Sequence, residues 1–203
     1  MAECLLEMWP SVKEYVVAVG QKKVPLPKNK AFCTASGCCD DPLFLVRVNV
    51  FLSFAKDVFP FLIRYRTDAP MLPLLCTDLL AVIHTLLTRF VQPCVLQTLT
   101  GKAAKTLAFD PADCANHVDT SKVDIGFAAD QLLREVKRSK KISDMDHLSI
   151  RLDSKKFLVA MVAKMLKSPL QQSLVRSLGW LIPSAIFATK TSMAMVCKPC
   201  AGS

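Results

Sequence analysis

Apolar residues recur at three- and four-residue steps along much of this chain, and no stretch alternates with the period of a strand. Leu5, Met8, Val12, Tyr15, Val16 and Val19 predict a short helix over residues 4–19, with Gly20 as its stop. Next comes Gln21-Lys-Lys-Val-Pro-Leu-Pro-Lys-Asn-Lys30, whose prolines and lysines predict exposed extended chain. Ala31–Cys39 is small and Cys-rich, without clear periodicity. Asp40-Asp41-Pro42 predicts a helix start, an acidic cap followed by a proline whose missing N–H costs nothing in a first turn. Leu45, Val48, Leu52, Ala55, Phe59, Leu62 and Ile63 would form that helix's apolar face, with Pro60 kinking or ending it.

Thr67-Asp68-Ala69-Pro70 restarts the chain. Leu75, Leu79, Val82, Ile83, Leu86, Leu87 and Phe90 then share a broad face, with Asp78, Thr85 and Arg89 opposite and Pro93 closing the helix. The polar segment Thr100–Val123 is expected to be a long loop. A helix from about Ile125 to Lys137 ends in a basic run. Ser143-Asp144-Met145-Asp146 offers a cap and an acidic first turn for a long helix to about Lys167, with Leu148, Leu152, Val159, Val162 and Leu166 as its stripe. Ser168-Pro169 opens a short final helix through Leu178, and Ala185–Ser203 has no helix-length pattern. The expectation is an all-α protein of about six helices packed as antiparallel hairpins. Its plan is an N-terminal helix (1–20), a basic, Cys-rich linker (21–39), a helical domain (40–180) and an irregular tail (181–203).

An apolar share of 52% over 203 residues is enough for a real core. The excess of 26 Lys+Arg over 17 Asp+Glu, a net +9, steers the protein toward nucleic acid, an anionic surface or an acidic partner. The first ten residues carry acids where a signal peptide needs bases, and no apolar run reaches the roughly 18 residues a membrane span requires. An intracellular protein is expected, with nuclear import among the readings of its basic runs. Nine cysteines, an odd number, then suggest reduced thiols serving mostly as small core hydrophobes.

Candidate chemistry is sparse. Cys33, Cys38 and Cys39 with Cys197-x-x-Cys200 form the only zinc-like set, but the first group lacks the two-residue gap. His84, His117 and His147 accompany no nucleophile elbow. Asp40, Asp41 and Asp68 look like helix caps, and the six glycines are isolated, so no phosphate loop is present. No catalytic residue, metal, cofactor, small-molecule substrate or membrane is therefore expected. The candidate phosphate contacts are Lys22, Lys23, Lys137, Arg138, Lys140 and Lys141, with DNA or protein as the partner. No aromatics interleave them, so base stacking is not implied, and solvated helix ends are the competing reading.

Several motifs recur in a recognisable order: Met8-Trp-Pro-Ser-Val-Lys-Glu-Tyr15, Lys22-Lys-Val-Pro-Leu-Pro27, Asp40-Asp-Pro-Leu43, Thr67-Asp-Ala-Pro-Met-Leu-Pro73, Lys122-Val-Asp-Ile-Gly-Phe127 and Ser173-Leu-Val-Arg-Ser-Leu178. Over roughly residues 4–180 the chain resembles the central part of hAT-like transposase-derived proteins of animal genomes. The resemblance implies a helical insertion of an RNase H-like nuclease core, often accompanied upstream by a BED-type zinc finger. It carries no catalytic residue onto this sequence. After Leu178 the chain departs from the family at Gly179-Trp-Leu-Ile-Pro183, which implies a truncated or degenerate fragment. The expected function is a non-catalytic interaction module assisting DNA or protein association; the rivals are a metal-dependent nuclease fragment and a nonfunctional reading frame.

Overall fold

The computed structural model describes residues 2–27, 30–66, 71–140 and 142–167. Among them the fold is all-α: eight helices and two 3-10 turns, with no strand beyond one isolated bridge between Val91 and His117. The helices are α1 (Ala2–Gly20), α2 (Lys30–Asp40), α3 (Phe44–Arg64), α4 (Leu72–Leu87), α5 (Pro93–Leu99), α6 (Ala103–Leu107), α7 (Phe127–Arg138) and α8 (Asp144–Lys167). They fall into two compact units. The first is Met1–Asp57 with Val118–Phe157; the second is Val58–His117 with Leu158–Ser203, described through Lys167.

The count exceeds the expected six because three short helices carry no long apolar period. Residues 30–39, within the expected linker, form α2 together with Asp40, and none of its side chains is buried. Pro93 opens α5 rather than closing α4, at the position where a missing N–H is harmless. The expected Thr100–Val123 loop contains α6 and both 3-10 turns. These turns are built by local Asp chemistry: Asp113 accepts from the Ala115 N–H at 3.0 Å, and Asp119 from the Ser121 N–H at 3.3 Å. The hinge 67–70, with the expected cap Asp68, and the short helix expected over 168–178 lie outside the described residues.

In the first unit the buried apolar set includes Trp9, Val19, Leu43, Val46, Val50, Phe54, Val123, Ile125, Leu133 and Ile150. Trp9 stacks on Phe44 with ring centroids 4.5 Å apart, and Phe54 on Phe157 at 6.0 Å. The α3 stripe is thus Val46, Val50 and Phe54 at four-residue steps, whereas Leu45, Val48 and Leu52 are half-buried and Phe59, Leu62 and Ile63 exposed. The helix passes through Pro60 to Arg64. Its start is capped by Asp41, which accepts the Leu43 N–H at 2.8 Å and pairs with Arg47; Asp40 is the last residue of α2.

Gly126 has φ +91°, and a Cβ there would lie 2.5 Å from the Ser53 Cβ, so both conformation and space require glycine. Asp124 holds the turn by accepting the Gly126 N–H at 2.8 Å. The Lys122–Phe127 motif is thus a packing device, with Val123 and Ile125 buried on either side of that aspartate.

The second unit buries Leu79, Val82, Ile83, Leu86, Leu87, Phe90, Val91, Leu99, Leu158, Val162 and Leu166. Every residue assigned to the α4 face is buried except Leu75, which is half-buried. Arg64 and Tyr65, at and just after the end of α3, both reach Asp78 of α4, at 2.9 and 3.0 Å.

Candidate nucleic-acid interface

The two basic pairs singled out in the sequence occupy the same kind of place on two helices of the first unit. At the end of α1 the Lys23 N–H donates to the Ala18 carbonyl at 3.0 Å and the Lys22 N–H to the Val19 carbonyl at 3.0 Å. This paired pattern is a Schellman cap, which puts the residue after the helix in the left-handed region. Lys22 holds that place with φ +59°. At the end of α7 the Lys140 N–H donates to the Lys137 carbonyl at 3.0 Å, and Lys140 has φ +54°. They are the two non-glycine residues with positive φ among those described. The expected stop Gly20 lies inside α1 instead.

Lysine in this conformation costs on the order of 1 kcal/mol against glycine. Part is recovered because a cation at a helix C-terminus meets the negative end of the helix dipole. Lys22, Lys23, Arg138 and Lys140 are all exposed and form no ion pair among the described residues. Lys137 is exposed too, but its ammonium pairs with Asp144 at 2.7 Å, joining the end of α7 to the start of α8. Lys141 lies outside the described residues.

Several other charged groups have structural partners. Arg151 of α8 is buried at 8% exposure; its Nη1 donates to the Val123 carbonyl at 2.7 Å and its Nη2 pairs with Asp130. Asp130 also takes Arg134 at 2.6 Å. Asp78, besides Arg64, accepts the Tyr65 hydroxyl; burial first, then that hydrogen bond, pushes the phenol up to about 12.

None of the three histidines stands beside a nucleophile arrangement. Buried His117 donates from Nε2 to the Pro111 carbonyl at 2.9 Å and sets its ring edge-on to Phe90. Gln92 closes that loop from outside, donating to the His117 and Ala115 carbonyls. His84 shares a 3.1 Å hydrogen bond with Thr100. Burial, followed by the charges of Arg151 and Lys137, lowers the pKa of His147.

The cysteines depart from expectation. Of the seven described, Cys4, Cys33, Cys94 and Cys114 are exposed, Cys38, Cys39 and Cys76 are half-buried, and all are free thiols. None is a core residue, because the buried positions are filled by larger branched and aromatic side chains. Burial holds the Cys39 thiol above its ordinary pKa, with Lys13 opposing, so it is not activated as a nucleophile. Among the described residues no three His, Cys, Asp or Glu groups converge as metal ligands; Cys197 and Cys200 lie outside them.

A cleft of about 510 Å³ between α1, α3 and the start of α7 is lined by Glu3, Glu7, Asn49, Ser53 and Lys56 among others, and Glu3 faces Lys56 at 3.8 Å. No helix among the described residues is long and apolar enough to cross a membrane. No family model, curated protein or solved structure matches the chain.

Proposed function

We propose that the chain is a non-catalytic helical module, transposon-derived as its resemblance to hAT-like proteins implies, that associates with DNA through the phosphate backbone by way of its basic helix ends. The observation that carries this reading is the lysine at both left-handed helix ends. Glycine would fill these places at lower conformational cost, and each lysine instead projects a cation beside other exposed basic residues. Lys22 and Lys23 on one helix end, and Lys137, Arg138 and Lys140 on the other, with Lys141 beside them in sequence, would neutralise phosphates without reading bases. In support of a non-catalytic role, Asp113 caps a turn, Asp130 pairs with Arg151 and His117 pins a loop.

The test is fluorescence anisotropy with a labelled DNA duplex over a salt series. The expected result is sequence-tolerant binding whose log affinity falls linearly with log salt, with a slope of about −4 to −5 for four to six neutralised phosphates. The duplex should stay intact with Mg²⁺ or Mn²⁺. Absence of binding at low salt contradicts the proposal, and metal-dependent cutting abolished by a single Asp→Ala change replaces it with the nuclease reading.

A further inference from the structure

We infer that Ser143 is a phosphorylation site for a protein kinase with an acidic substrate cleft, and that its phosphate switches off the basic end of α7. The second half of this inference rests on the DNA-binding reading above; the first stands without it. Ser143 is exposed and lies outside helical structure, between the end of α7 and the start of α8. Before it in the chain stand Lys137, Arg138, Lys140 and Lys141, at six, five, three and two positions upstream. Such an array is recognised by charge complementarity, the usual basis of kinase selectivity for flanking residues. In the transfer the Ser143 Oγ bonds to the γ-phosphorus of ATP, the bond to the bridging oxygen breaks, ADP leaves, and the hydroxyl proton passes to the kinase's catalytic base.

Local structure selects Ser143 over its neighbour Ser139. The Ser139 hydroxyl donates to the Val136 carbonyl at 2.8 Å, at the negative end of the α7 dipole, where a dianion is repelled. The Ser143 oxygen sits at the N-terminus of α8, accepting the Asp146 N–H at 3.1 Å, and the positive end of that dipole favours an added phosphate. Asp146 opposes it, since its carboxylate accepts both the Ser143 hydroxyl, at 2.8 Å, and the Ser143 N–H, at 3.0 Å. The 2.7 Å contact between Lys137 and Asp144 shows that the Lys137 ammonium at the α7 end reaches the first turn of α8. A phosphate of charge near −2 there competes with DNA for the same side chains.

The experiment incubates the full chain with MgATP and the catalytic subunit of cyclic-AMP-dependent kinase, a basophilic enzyme. Phosphate is located by mass spectrometry, and duplex DNA affinity is measured before and after. About one phosphate per chain at Ser143 is expected, retained in Ser139→Ala and lost in both Ser143→Ala and Ser143→Asn, the latter keeping a capping oxygen. Phosphorylation should weaken DNA binding about tenfold at moderate salt, as expected for the loss of one to two phosphate contacts. No incorporation, or incorporation mainly elsewhere, overturns the site. Phosphorylation at Ser143 with unchanged affinity overturns the switch, and a chain that binds no DNA in either form overturns both the switch and the DNA-binding reading while leaving the site itself decided.

Discussion

Helices α4 and α8 look alike as sequence patterns, yet α4 buries nearly all of its expected stripe while α8 buries only Val162 and Leu166 of its own. In α4 Leu79, Val82, Ile83, Leu86 and Leu87 are all buried. In the first half of α8 the expected Leu148 and Leu152 are each 41% exposed, and the buried face is Ile150, Arg151 and Ser154. The difference lies in the polar residues. Ser154 hides its hydroxyl by donating to the Ile150 carbonyl at 2.7 Å, and Arg151 spends its charge on Asp130 and the Val123 carbonyl. A helix can present a partnered polar face to its core, and over that stretch the apolar periodicity points to the wrong side.

Breaking the Arg151 anchor should have the largest effect. Arg151→Ala leaves Asp130 without its buried partner and is expected to cost about 3–5 kcal/mol in denaturant melts. Replacing both partners, as Arg151→Met with Asp130→Leu, should recover most of that loss. A loss below about 1 kcal/mol for Arg151→Ala would mean that α8 buries some other face. The stripe comparison is sharpened by truncating one leucine on each helix. Leu86→Ala, at 0% exposure, should cost about 2–5 kcal/mol, against under about 1 kcal/mol for Leu148→Ala. Equal losses would erase the distinction drawn between α4 and α8.

Much of the scaffold was legible because its signals are local. The α4 face, the Ser143 cap of α8 and the cap at Asp41 follow from spacing and side-chain chemistry within a few residues. What escaped depends on partners far along the chain. The need for glycine at 126 comes from Ser53, and the burial of Arg151 from Val123 and Asp130. The buried α3 stripe lies one to two positions from the expected one because this helix is apolar nearly all round, so periodicity alone gives no sharp choice. Of the candidate interface, the residues were visible and their conformation was not. At α7 a basic run follows the helical pattern with no glycine between, which is a sequence signal for a left-handed lysine; at α1 Gly20 precedes Lys22 and pointed to the wrong residue.

A smaller effect probes the polar side of α4, where Tyr65 donates to Asp78. With its phenol raised, the hydroxyl's contribution is complete below the ordinary tyrosine pKa and is lost as pH rises through about 12. The Tyr15→Phe variant leaves Tyr65 as the remaining tyrosine of two, and ultraviolet titration should then show a midpoint near 12. A midpoint at the unperturbed value of 10.0 would place Tyr65 in solvent, away from Asp78.

The lysines at the two helix ends tie stability to function, and the double variant Lys22→Gly with Lys140→Gly separates the two. Glycine should relieve the left-handed strain and raise stability by up to about 1 kcal/mol per site, less whatever favourable dipole interaction the lysines supplied. The decisive measurement is the anisotropy titration of this variant against a DNA duplex at moderate salt. The account predicts a fold at least as stable as the parent, with several-fold weaker binding and a salt slope shallower by about 2. Unchanged affinity and slope would contradict it, leaving these lysines as helix ends in water.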